Sequence, residues 1–138
     1  MSALLLLGVA SALIALGVAV RRNHRKVREV AAATVDLRVD DDGVTRALAD
    51  GRIEEVRWDE LLEVEVLTTN VGVHKEDGVV LVLAGEGERG ALVPSRLAVE
   101  HRVIERLHAL PGFDGRRLVA AMELPPPSRT TCWERGGN

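Results

Sequence analysis

Residues 85–90 read GEGERG, fit the spacing G-x-G-x-x-G and follow an apolar run. In a dinucleotide site the amides of such a loop open a helix whose N-terminus cradles pyrophosphate. Here Ala91-Leu92-Val93-Pro94 follows, a strand pattern stopped by proline, and Glu86 and Glu88 would sit against the phosphates. The segment therefore reads as a hairpin turn. Asp40, Asp41 and Asp42, followed by Gly43, cluster carboxylates that would suit Ca²⁺, but they lack alternating ligand spacing and a distal Glu. They read as a solvated turn. His24, His74, His101 and His108 are scattered. The last two share a helical face about 10 Å apart along the axis, too far for one metal. Ser95 has no G-x-S-x-G elbow around it and reads as a helix cap. Cys132 has only Arg129 and Arg135 nearby to hold a thiolate, and reads as a small apolar residue. No catalytic residue, metal or cofactor is expected, and the chain is not read as an enzyme.

Binding is the remaining chemistry. Residues 68–77 form the longest loop between strand patterns, and binding residues concentrate on loops. Thr68, Thr69, Asn70, His74 and Lys75 from that loop, with Trp133 near the end, make the candidate interaction surface. Trp anchors interfaces when exposed, but is more often core, which is the reading for Trp58.

The most informative segment positions everything else. Residues 3–20, ALLLLGVASALIALGVAV, carry no charge, and RRNHRK follows at once. As a helix this run spans roughly 27 Å, near the thickness of a hydrocarbon core. Only Met1 and Ser2 precede it, whereas Arg21, Arg22, Arg25, Lys26 and Arg28 follow. A cleaved signal has the opposite polarity, so an uncleaved transmembrane anchor is expected. By the positive-inside rule the N-terminus lies outside and the rest in the cytoplasm. Gly8, Ser11, Ala12, Ala15 and Ala19 could let two such helices approach as a homodimer. The basic flank, residues 21–32, sets topology or holds anionic lipid.

Beyond residue 28 there are 13 basic and 21 acidic residues, a balance of −8. That argues against nucleic acid, whose binding rests on neutralising phosphates. A single cysteine excludes an internal disulfide and a multi-cysteine zinc site, and fits a reducing compartment.

From residue 33 the apolar pattern takes period two. Val35, Leu37 and Val39 predict a strand with one buried face, and Val44, Arg46 and Leu48 a second. Asp50-Gly51 is a hairpin signal. Strands are expected over 53–58, 62–67, 79–84 and 91–93, the fifth apolar on both faces and so doubly covered. The period then becomes 3.6: Leu97, Val103, Ile104, Leu107 and Leu110 predict an amphipathic helix over 95–110. A second helix over 115–123 would be capped by Asp114. Residues 33–124 make one α+β domain, with a proline break and tail over 125–138.

The meander, the turn through Arg57-Trp58-Asp59-Glu60-Leu61 and the closing helix resemble a bacterial pleckstrin-homology-like domain over about residues 33–110. The resemblance implies a curled antiparallel sheet of six to seven strands closed by a C-terminal amphipathic helix, beside a membrane anchor. Lipid-binding members carry Lys/Arg in the first hairpin. Asp40, Asp41 and Asp42 stand there, so phosphoinositide binding is not implied. Residues 57–134 also resemble a group of small bacterial proteins of unknown function, through Thr68-Thr69-Asn70, Leu110-Pro111-Gly112-Phe113-Asp114, Ala120-Ala121-Met122 and Cys132-Trp133. The expectation is a single-pass, membrane-anchored adaptor that binds a protein partner. A small-ligand-binding protein or enzyme, and an immunity or antitoxin-type protein, are the alternatives.

Overall fold

The computed structural model describes residues 34–70 and 78–136. The uncharged run, the basic flank, His74 and Lys75 lie outside them. Among the described residues no helix is long and apolar enough to cross a membrane.

Seven strands form one curled antiparallel sheet. They are β1 (Thr34–Val39), β2 (Gly43–Leu48), β3 (Ile53–Arg57), β4 (Glu63–Thr68), β5 (Val79–Ala84), β6 (Gly90–Pro94) and β7 (Ser128–Glu134). The order across the sheet is β1-β2-β3-β6-β5-β4-β7. Three short helices lie between β6 and β7: α1 (Ser95–Glu100), α2 (Val103–Leu107) and α3 (Gly115–Met122). The chain therefore does not close on a helix. The expected tail is β7, an edge strand on β4 with Thr68 opposite Ser128 and Glu63 opposite Glu134. Its β-branched Thr130 and Thr131 and the aromatic Trp133 suit a strand, although three prolines precede it.

Alternation builds the core. Leu37, Val44, Val56, Val64, Val66, Leu81, Leu83, Ala91 and Val93 point to one face, where Ala98, Val103, Leu107, Leu118 and Ala121 of the helices meet them. The opposite face of the central strands buries Leu67, Val80, Val82 and Leu92. This agrees with a β5 apolar on both faces. Two expectations shift. The alternation places Val35 on the buried face, but it is 65% exposed. The register slips between Thr34 and Asp36, so Val35 is the extra residue of a bulge. The single helix over 95–110 is two helices, broken at Arg102 with φ 57°. Ala98 and Val103 are both fully buried. Five residues along a straight helix would turn them about 140° apart, so the left-handed residue resets the phase. Gly43 faces β3 so closely that a Cβ would strike the Val56 carbonyl.

The sheet is thin at one joint. β3 and β6 share only the Glu55–Gly90 ladder pair. Glu54 bridges the gap: its Oε1 accepts from the Leu92 amide at 3.1 Å and from Arg46 Nη1 at 2.8 Å. The Arg46 side chain is fully buried on the core side of β2, with Nε donating to Thr34 Oγ1 at 2.7 Å. Burial lowers its pKa, opposed by the bond and charge of Glu54. Its Nη2 has no partner among the described residues. Removing one member of such a pair strands a buried polar group. Arg46→Ala should therefore lower the unfolding free energy by about 3 kcal/mol, read from urea denaturation. A loss below about 1 kcal/mol would place the pair among ordinary surface bridges.

Candidate interaction surface

The loop after β4 is clasped at its base. Thr69 N–H donates to the Gly78 carbonyl at 2.8 Å, and Thr69 Oγ1 to the same oxygen at 3.2 Å. Thr68 Oγ1 and Ser128 Oγ lie 2.5 Å apart, tying the same corner to β7. Thr68 and Thr69 are both buried, whereas Asn70 is exposed. The two threonines therefore hold the loop ends, and Asn70 is the described residue of the set free to meet a partner. His74 and Lys75 lie outside the described residues.

Trp133 does not belong to an exposed surface. It is buried against the core, and its Nε1 donates to the Pro111 carbonyl at 2.7 Å. The Arg135 guanidinium stands 5.3 Å from its ring centroid, and also donates to the carbonyls of Leu61 and Trp58. The Leu110–Asp114 motif thus has a structural account. Pro111 receives Trp133, and Gly112 turns the chain at φ 73°. Phe113 meets the His108 ring edge-on at 5.4 Å. Asp114 caps α3 through the amides of Arg116 and Arg117, as its position before the helix predicts. Trp58 is half-buried rather than wholly core, with Nε1 on the Asp40 carbonyl at 2.8 Å.

The other segments weighed for chemistry settle into turns and packing. Residues 85–90 form a hairpin turn, with Gly85 N–H on the Arg89 carbonyl and Gly87 at φ 61°. Asp40 Oδ1 accepts from the amides of Asp42 and Gly43, which holds its carboxyl below the usual range. Ser95 is the first residue of α1, and Pro94 occupies the cap position. Cys132 is buried, and burial pushes its thiol pKa up, away from a reactive thiolate. Among the described residues no three His, Cys, Asp or Glu converge on a metal position. Beside α3 an open groove of about 700 Å³ is lined by His108, Asp114, Arg116, Val119 and Glu123.

One cluster escapes sequence reading. Glu63 and Glu65 alternate with the core residues Val64 and Val66 along β4, and β7 lies beside them as the edge strand. Glu65 is buried, and its Oε1 accepts from Arg129 Nη2 and Nε at 3.0 and 3.2 Å. Thr131 Oγ1 donates to Glu63 at 3.0 Å. Burial, a hydrogen bond with Glu65 and the Glu65 charge raise the Glu63 pKa above the usual carboxylate range. The one readable signal is the Arg129-x-Thr131 alternation in the tail.

Comparison with protein-family models, with curated proteins and with solved structures returned no match.

Because the folded pKa of Glu63 is raised, the folded state binds more protons than the unfolded state in that window, and stability falls as pH rises through it. Glu63→Gln keeps an acceptor for Thr131 and removes this loss. Urea midpoints from pH 4 to pH 8 should show the wild type losing stability relative to Glu63→Gln as pH rises; a constant difference would contradict a raised Glu63 pKa.

Proposed function

We propose that the chain is a single-pass membrane protein whose acidic cytoplasmic domain acts as a non-catalytic adaptor, binding a protein partner through the loop after β4. The observation that carries the reading is the charge boundary. An uncharged run over residues 3–20 is followed by five basic residues with no acid, and then by a domain with a balance of −8. Such a run partitions into a bilayer, and its basic flank stays on the cytoplasmic side. An acidic body is repelled by an anionic leaflet, which leaves it free for a protein. The clasp through Thr69 and Gly78 supports the choice of surface, since it fixes the loop ends and leaves Asn70 exposed. The pleckstrin-homology-like relation is the finer reading of the fold. Its support is the seven-stranded antiparallel sheet with amphipathic helices; β7, placed after those helices, departs from a pattern that ends on a helix.

The test uses the full chain in its membrane. A reporter fused after Asn138 should register the cytoplasm. A photo-crosslinker at Asn70 should trap a discrete protein adduct. Alanine at His74 and Lys75 together should reduce that adduct about ten-fold, the loss of roughly 1.4 kcal/mol of binding. A reporter signal outside the cell would overturn the orientation. An adduct indifferent to both alanines would overturn the surface.

A further inference from the structure

Helix α3 carries charges set against its own dipole. The N-terminal turn of a helix favours acids and the C-terminal turn favours bases. Here Arg116 and Arg117 stand in the first turn, Glu123 stands at the C-cap, and no acid lies in the first turn or base in the last. Asp114, at the N-cap, is turned onto the amides of Arg116 and Arg117. Arg116 and Glu123 are exposed, and neither joins an ion pair among the described residues. Their spacing puts both on one stripe of the helix, about 10 Å apart along the axis, with Val119 and Ala120 between them. Val119 is 53% exposed, and Ala120 is exposed as well. Arg117 lies about 100° round from Arg116, off the stripe. All four residues of the stripe line the open groove of about 700 Å³.

The stripe is complementary to itself when reversed. Two copies laid antiparallel, about a two-fold axis between residues 119 and 120, set Arg116 against the partner's Glu123 and Glu123 against the partner's Arg116. Val119 then meets the partner's Ala120, whose small side chain lets the helix axes approach. Each member of the set has a counterpart, as an isologous contact demands. The same arrangement answers the reversed dipole, since the partner's Glu123 comes to the N-terminal turn of α3 and the partner's Arg116 to its C-terminal turn. A parallel arrangement sets like charges together at both ends. Of the other polar groups lining the groove, Asp114 is turned onto its own helix and His108 meets Phe113 edge-on. One eight-residue helix buries far less than the roughly 1,200 Å² of a stable soluble dimer. Copies held in one membrane meet at a much higher effective concentration, which makes a small contact sufficient.

We infer that the exposed stripe of α3 is a self-association surface, which pairs antiparallel with α3 of a second copy of this chain. The inference rests on the anchor reading for its strength and adds a second contact to it. It shares no residue with the loop after β4.

The experiment uses the full chain reconstituted into phosphatidylcholine vesicles, with membrane attachment read independently by flotation. The native cysteine is buried, so Ala120→Cys, beside the two-fold axis, reports the pairing through oxidation to a disulfide-linked dimer. On that background Arg116→Glu or Glu123→Arg puts like charges together at both ends of the pair, and each should lower the dimer yield about five-fold. Both changes together restore opposite charges and should return the yield to within about two-fold of the starting level. Each single change agrees with the helix dipole, so a lost dimer does not reflect a lost helix. Floating protein that forms no dimer through position 120, or a double variant as weak as the single ones, overturns the inference and leaves the anchor standing. Protein that stays at the bottom of the gradient overturns the anchor reading, and the inference with it.

Discussion

The Arg46–Glu54 pair is the constraint on which the sheet depends. Three strands lie on one side of the β3–β6 joint and four on the other, with a single ladder pair between them. The Glu54 carboxylate supplies what the ladder lacks, an acceptor for the Leu92 amide. Arg46 holds that carboxylate in place and is itself positioned by Thr34, the first residue of β1. The cost is a buried guanidinium with one nitrogen lacking a partner among the described residues. An apolar pair would pack more cheaply but could not satisfy the Leu92 N–H. The pair thus ties the joint to the end where the chain enters, through Thr34.

Much of this is legible in the residues. Period-two alternation marks the first four strands, a run apolar on both faces marks the fifth and Pro94 ends the sixth, while Asp-Gly and the glycine-rich stretch mark turns. Asp114 marks the start of α3. What stays hidden depends on tertiary phase rather than local preference. Nothing local distinguishes Arg102 from a mid-helix residue; only the requirement that Ala98 and Val103 face one core forces the break. Val35 continues the alternation faithfully and is thrown outward because the pairing slips by one residue.

The candidate surface follows the same division. Its loop is visible as a long polar interval, but the roles within it are not. Thr68 and Thr69 look like contact residues and are structural clasps, Thr68 tied to Ser128 of β7 and Thr69 to Gly78 across the loop base. That strand also carries Trp133 inward and sets Arg129 against Glu65 and Thr131 against Glu63. One unread element therefore accounts for most of the displaced expectations. The polar, proline-preceded sequence of β7 carries little strand signal by itself; its pairing with β4 supplies the stability.

The proposed binding of a partner beside β4 needs the seven strands to behave as one body. Hydrogen exchange at the Leu92 amide measures this at the joint. In the native protein it should exchange as slowly as the amides paired between β4 and β5, and in Glu54→Ala it should exchange faster than those amides by at least about ten-fold. Leu92 exchanging rapidly in the native protein, or unchanged relative to β4 and β5 in the variant, would contradict a sheet joined through Glu54.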